Sequence, residues 1–325
     1  MLLSSLAIIA GFALLVWSAD RFVEGASATA KHFGMSALLI GMLIVGFGTS
    51  APEMVVSAIA AMEGNPSLAL GNAYGSNIVN IALILGITAI VTPIAVHSKI
   101  VKKELPLLLG LILLSGFLLL DGSLGLIDGI LLLGGFFTLV GWSVYAALTG
   151  KGDVLEEEME EELKSNAMPL NKAFFWLVAG LVLLIGSSKV LVWGAVNIAH
   201  TMGVSDLIIG LTIVALGTSL PELAASVMAA KKGEHDIAIG NVVGSNMFNL
   251  LAVVGIATVI SPISSVPAEV LERDWLVMFA LTFAFLAMAY GLNSKNPEIN
   301  RFKGFALLLV YVAYNGYLAL SVAGA

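Results

Sequence analysis

Apolar runs of about 20 residues recur along the whole chain, each long enough to cross a hydrocarbon core of roughly 30 Å. They predict ten spans, at 1–30, 36–61, 68–92, 104–121, 127–149, 171–200, 207–230, 237–260, 274–292 and 304–323. The expected fold is all-α and integral to a membrane. The first run could pass for a secretory leader, but no Lys or Arg precedes Arg21, so it is expected to stay as a span.

Composition agrees with the pattern. Apolar residues fill 59% of 325 positions, charged residues 11%, and the mean hydropathy is +1.00, beyond the range of a soluble domain of this length. The chain has no cysteine, which excludes disulfides, thiolate metal sites and cysteine nucleophiles. Its net charge of -7 gathers in Glu156, Glu157, Glu158, Glu160, Glu161 and Glu162, between the fifth and sixth spans, where a solvated linker is the simplest reading.

Charge also sets orientation. Lys31, Lys99, Lys102, Lys103, Lys151, Lys164, Lys172, Lys231, Lys232, Lys295, Arg301 and Lys303 fall on one alternating set of loops, which is therefore expected to face the cytoplasm. Both termini are then outside. Residues 40–94 align without a gap on 209–263, at a constant offset of 169. Five spans per unit is an odd number, so the second unit enters the membrane from the opposite side. The expected organisation is a first five-helix repeat over 1–149, an acidic cytoplasmic linker over 150–170, and an inverted second repeat over 171–325.

Two segments carry candidate chemistry. GTSAPE (48–53) and GTSLPE (217–222) each set a glycine, two hydroxyls, a proline and a carboxylate inside an apolar span. Pro52 and Pro221 each remove a helical hydrogen bond and free the carbonyl four residues earlier, Gly48 and Gly217. Thr49 and Ser50 precede Glu53 by four and three residues, which on a continuous helix places them on the carboxylate's face; Thr218, Ser219 and Glu222 repeat the arrangement. GNAYGSNIVN (71–80) and GNVVGSNMFN (240–249) add the stripes Asn72, Ser76, Asn80 and Asn241, Ser245, Asn249, with glycines at 71, 75, 240 and 244 for close helix packing. An intramembrane carboxylate costs several kcal/mol unless it is compensated. No Lys or Arg stands at the matching depth, so bound cations or protons are the expected compensation. Oxygen donors alone suit Ca2+ or alkali cations. Asp20 and Lys189, also related by the offset, are expected to lie at different depths and to act separately. The histidines, His32, His97, His200 and His235, fall at span ends or in loops.

On these doubled motifs the chain resembles the sodium/calcium exchanger family, in its short prokaryotic form. The resemblance implies that Glu53 and Glu222 bind Ca2+ with Thr49 and Thr218. Na+ would use the same groups with Ser50, Ser76, Ser219 and Ser245, and the carbonyls of Gly46 and Ala215 would complete the sites. It also implies that the first and sixth helices slide across the others, which the small residues Gly25, Ala26, Gly194 and Ala195 would suit. Asn80 and Asn249 complete the candidate set. Well-characterised members carry Asp where this chain has Asn249, so two carboxylates rather than three are expected at the centre. The expected partners are Ca2+, Na+ or H+ and the lipid bilayer, with no cofactor and no nucleic acid, and a monomer holds the complete site. Na+/Ca2+ antiport in a prokaryotic inner membrane is the leading reading. Ca2+/H+ exchange on the same scaffold, a cation channel and an intramembrane hydrolase are its alternatives. No histidine or lysine stands where it could activate Ser50 or Ser219 for the last of these.

Overall fold

A computed structural model describes residues 2–33, 37–64, 66–96, 101–149, 168–201, 215–290 and 297–323. Its longer helices are α1 (Leu2–Phe33), α2 (Ala51–Met62), α3 (Pro66–Ile78), α4 (Val101–Leu118), α5 (Leu126–Thr149), α6 (Leu170–Thr201), α7 (Leu220–Lys231), α8 (His235–Phe248), α9 (Leu276–Tyr290) and α10 (Arg301–Ala323). Short π-helical turns at Gly41–Gly46, Val79–Leu85, Asn249–Val253 and Val270–Trp275 precede or extend several of them.

Six helical stretches among the described residues are long and apolar enough to cross a membrane: Leu2–Thr29, Leu68–Val91, Leu126–Tyr145, Leu170–Ile198, His235–Ile260 and Arg301–Leu320. A seventh is added when Gly41–Thr49 and Ala51–Met62, bent by 47°, count as one span. The others fall short for evident reasons. α4 carries Lys102, Lys103 and Glu104 in its first turn, α9 has 15 residues, and α7 follows a segment, 202–214, outside the described residues. The acidic linker expected at 150–170 lies almost wholly outside them as well.

α1 and α6 pack along their length through glycines. A Cβ on Gly25 would meet Leu177 N at 2.5 Å, and one on Gly180 would meet Phe22 Cα at 2.8 Å. Gly11 against Leu191 and Gly194 against Ser4 repeat the contact nearer the other end of the pair. The offset of 169 relates Gly11 to Gly180 and Gly25 to Gly194, so each helix offers the other the same two notches.

An expectation of pure helix needs one amendment: Ile94–Ala95 and Glu298–Ile299 form a two-stranded antiparallel pair. A single bridge joins Leu124 to Ile263. Both sit where chain leaves helix, and each gives main-chain groups partners that the helices no longer supply.

Candidate functional site

The helix break comes first, since it aims the carboxylates. Ser50 has φ -82° and ψ 0°, and α2 starts at the next residue with Pro52 in its first turn, where a proline's missing N–H costs nothing. Ser219 and Pro221 repeat this at the start of α7. Glu53 and Glu222 therefore sit in the first turn of a new helix, near free N–H groups and the positive end of its dipole. A carboxylate is less costly there than in mid-helix. The carbonyl that Pro221 frees, that of Gly217, accepts a hydrogen bond from Ser188 Oγ of α6 at 2.8 Å.

The break also changes which hydroxyls meet which carboxylate. On a continuous helix Thr49 and Ser50 would share Glu53's face, but the 47° bend redirects them. Ser50 Oγ donates to Glu222 Oε1 at 3.4 Å, and Thr49 also lies against Glu222. Thr218 and Ser219, in turn, lie against Glu53, although Ser219 Oγ makes no hydrogen bond among the described residues. Each carboxylate thus takes its hydroxyls from the other half of the chain. Thr49 is held by Asn241 Oδ1 at 3.2 Å, and Asn241 Nδ2 reaches Ser226 Oγ at 2.8 Å and the Glu222 carbonyl at 3.1 Å. The matching Asn72 Nδ2 donates to Ser57 Oγ at 3.1 Å.

Close backbone approach supports this crossing. A Cβ on Gly244 would lie 2.7 Å from Met42 Cα, and one on Gly41 would lie 2.6 Å from the Ile237 carbonyl, so the π turn Gly41–Gly46 presses on α8. Gly71 and Gly75 meet nothing within 4 Å among the described residues. The segment related by the offset to Gly41–Gly46 runs from 210 to 215 and lies, but for Ala215, outside them.

At the start of two π turns stand four amides, at positions 77, 80, 246 and 249. Asn80 Nδ2 donates to Asn246 Oδ1 at 3.0 Å, and Asn249 Nδ2 donates to Asn77 Oδ1 at 3.1 Å. The π turn carrying Asn80 packs on α7, which bears Glu222, and the turn carrying Asn249 packs on α2, which bears Glu53. A π turn inserts one residue into the helical register and is frequent at functional sites. Asn77 and Asn246 escaped the spacing-of-four reading because they stand three residues before Asn80 and Asn249, not four. Their signal was identity at the offset of 169 inside an apolar span, the signal that marks Asn80 and Asn249.

Glu53, Glu222, Thr49, Ser50, Ser219, Ser76, Ser245, Asn80 and Asn249 are all buried, and Thr218 is half-buried. The Gly46 carbonyl accepts from Ser50 N–H at 3.0 Å and lies 3.4 Å from Ser245 Oγ. Ala215 opens its described stretch, and what precedes it lies outside the described residues. The buried oxygens with no hydrogen-bond partner among the described residues include, at this site, both a carboxylate and an amide oxygen from each half, Glu53 Oε2, Asn80 Oδ1, Glu222 Oε2 and Asn249 Oδ1, and the hydroxyl of Ser219. Orphaned acceptors at this burial each cost about 1–3 kcal/mol or more, which a cation would recover. No group of three or more His, Cys, Asp or Glu side chains is gathered among the described residues, so charge here comes from the two glutamates.

Asp20 does not pair with Lys189. It pairs with Lys232 Nζ at 2.9 Å and Arg21 at 3.1 Å. His32 is exposed and bonds the Met168 carbonyl at 2.8 Å.

Oxygen donors buried where two halves of a helical membrane protein cross define a class, the membrane proteins that handle hard cations. The sodium/calcium exchanger protein family matches residues 3–145 and 172–320, and the chain belongs to that family. It is a cation/calcium antiporter by family and not an enzyme. CaxA of Alkalimonas amylolytica is 48% identical over 99% of this chain and 100% of its own. Inner membrane protein YrbG of Escherichia coli is 38% identical over 94% of each. A structure of the sodium-calcium exchanger NCX_Mj soaked with Na+ and Sr2+ superimposes with a TM-score of 0.82 at 30% identity, covering 97% of this chain and 98% of that one.

Proposed function

We propose that the chain exchanges Na+ for Ca2+ across a prokaryotic inner membrane by alternating access to one central site. Ten spans form two inverted five-helix repeats, 1–149 and 171–325, joined by a cytoplasmic linker at 150–170, with both termini outside. Glu53 and Glu222 bind Ca2+ with Thr49 and Thr218. Na+ occupies the same groups with Ser50, Ser219, Ser76 and Ser245, and the carbonyls of Gly46 and Ala215, with Asn80 and Asn249, complete the shell. The observation that carries this reading is the set of four unpartnered carboxylate and amide oxygens at the centre, drawn equally from the two halves.

Competition follows from charge. The two carboxylates balance one Ca2+ or two Na+, and either cargo excludes the other. Movement of α1 and α6 past the site is cheap only when the charge is balanced, since a bare carboxylate pair would carry a desolvation cost of several kcal/mol past an apolar barrier. Exchange of two Na+ for one Ca2+ moves no net charge.

Reconstituted liposomes test the reading. Radiolabelled Ca2+ uptake is expected to follow an outward Na+ gradient, to ignore an imposed pH gradient, and to be insensitive to a valinomycin-set membrane potential. Acceleration by the pH gradient alone would replace Na+ by H+ as the coupling ion. Wild-type uptake by Glu53→Gln or Glu222→Gln would remove the site itself.

A further inference from the structure

We propose that Asn77 is a positioning residue, which turns the amide of Asn249 so that carbonyl oxygen rather than NH2 is offered to the cation. The proposal rests on the central cation site above. Asn77 Nδ2 donates to the main-chain carbonyl of Asn246 at 3.3 Å and lies 3.3 Å from Met278 Sδ. A main-chain carbonyl only accepts, so one orientation of the Asn77 amide keeps this bond, and it turns Oδ1 toward Asn249. Asn249 must then give Nδ2 to Asn77, which leaves its own Oδ1 unpartnered. Across the pseudo-symmetry Asn246 Oδ1 takes Nδ2 of Asn80 and leaves Asn80 Oδ1 unpartnered too, but Asn246 Nδ2 has no partner among the described residues, so only the Asn77 amide is held in one orientation by a main-chain acceptor. All four side chains are buried, so no water competes for the choice. An amide turned the other way would meet a cation with two N–H dipoles and repel it.

Calorimetric Ca2+ binding to the purified chain reads this out through a double-mutant cycle of Asn77→Ala with Asn249→Ala. Asn77→Ala is expected to weaken Ca2+ about tenfold, and the double variant to bind no more weakly than Asn249→Ala alone. Additive losses would mean that Asn77 acts through packing and would overturn the proposal. Asn77→Asp keeps the acceptor toward Asn249, gives up the donor to the Asn246 carbonyl and adds negative charge, so it is expected to bind Ca2+ no more than about threefold more weakly than the parent. A loss as large as that of the alanine variant sinks the idea even if Asn77→Ala does not fold. Glu53→Gln separates the levels: if it binds Ca2+ like the parent, the site reading fails, and if it does not while the cycle is additive, only the positioning role fails.

The Asp20–Lys232 ion pair carries a second, independent inference. The offset of 169 takes Asp20 to Lys189 on α6 and Lys232 to Glu63 at the end of α2, so the related pair has acid and base exchanged. The surroundings repeat closely. Gly64 and Gly233 follow with φ of 80° and 81°, and Ser18 and Ser187 bond carbonyls three residues back at 3.0 and 2.9 Å. Yet Glu63 and Lys189 are exposed, and no ion pair joins them among the described residues. We infer that the two pairs are reciprocal latches, Asp20–Lys232 closed in the state seen here and Glu63–Lys189 closed in the opposite one. This rests on alternating access.

The cysteine-free chain allows a direct test with Glu63→Cys and Lys189→Cys together, oxidised by copper phenanthroline in liposomes. Disulfide yield is expected to rise severalfold when Asp20→Ala is added, because that opens the other latch. A yield that Asp20→Ala leaves unchanged, or no disulfide in either background, overturns the inference. Na+-driven Ca2+ uptake by the reduced cysteine pair shows separately whether the transport reading stands.

Discussion

Over an 18-residue window, 78% of Leu68–Val91 and 83% of His235–Ile260 is buried, against 28% for both Leu2–Thr29 and Leu170–Ile198. All four are apolar enough to span a membrane, so hydropathy does not separate them. Neighbours do. The first two stand at the centre and carry the amides, each surrounded by helices of both halves. The second two, α1 and α6, touch mainly each other, glycine to backbone, and face outward with Leu3, Phe12, Phe174 and Val182. A polar group needs the first environment, because only there can protein replace water. The second suits the movement proposed for α1 and α6, because few contacts are exchanged when such a helix shifts.

Substitutions can break that contrast or sharpen it. The largest effect is expected at the centre: Gly244→Val puts a branched side chain where even a Cβ lies 2.7 Å from Met42 Cα, and no lipid is there to yield. Overpacking of this kind costs about 1–3 kcal/mol or more, so a clear fall in Tm with loss of Ca2+ uptake is expected. Gly25→Val meets Leu177 N from 2.5 Å, yet α1 and α6 can part toward lipid. Uptake is expected to slow about tenfold with a fall in Tm below that of Gly244→Val. An equal fall in Tm would erase the distinction between a fixed centre and a yielding pair. Ser188→Ala leaves the Gly217 carbonyl without its α6 partner and is expected to cost about 1 kcal/mol in thermal unfolding, with exchange retained. Phe12→Ala, on the outward face of α1, is expected to stay within about 0.5 kcal/mol of the parent in the same assay.

How much of this was legible beforehand varies by residue. Glu53 and Glu222 stood out because a carboxylate inside an apolar run has no bland explanation, and the prolines beside them announced the break. Asn77 and Asn246 did not stand out. They fall one residue after each serine, off the stripe spaced by four, yet each stands three residues before Asn80 or Asn249 in α-helix that precedes the π turns at Val79–Leu85 and Asn249–Val253, a spacing that also shares a face. The face-sharing expected of Thr49, Ser50 and Glu53 failed for a related reason, since the chain turns at Ser50 before the face is complete.

By itself, the sequence determined the apolar stretches, the internal likeness at an offset of 169, and the position of each break, because each follows from composition or local backbone chemistry. Only the tertiary structure decided the partners. Internal likeness states that Ser50 and Ser219 are equivalent, but it is silent on whether each serves its own glutamate or the other. The packed break settles that: at the 47° bend Ser50 turns to Glu222, since a side chain's direction after a break depends on the angle at which the packed halves hold it.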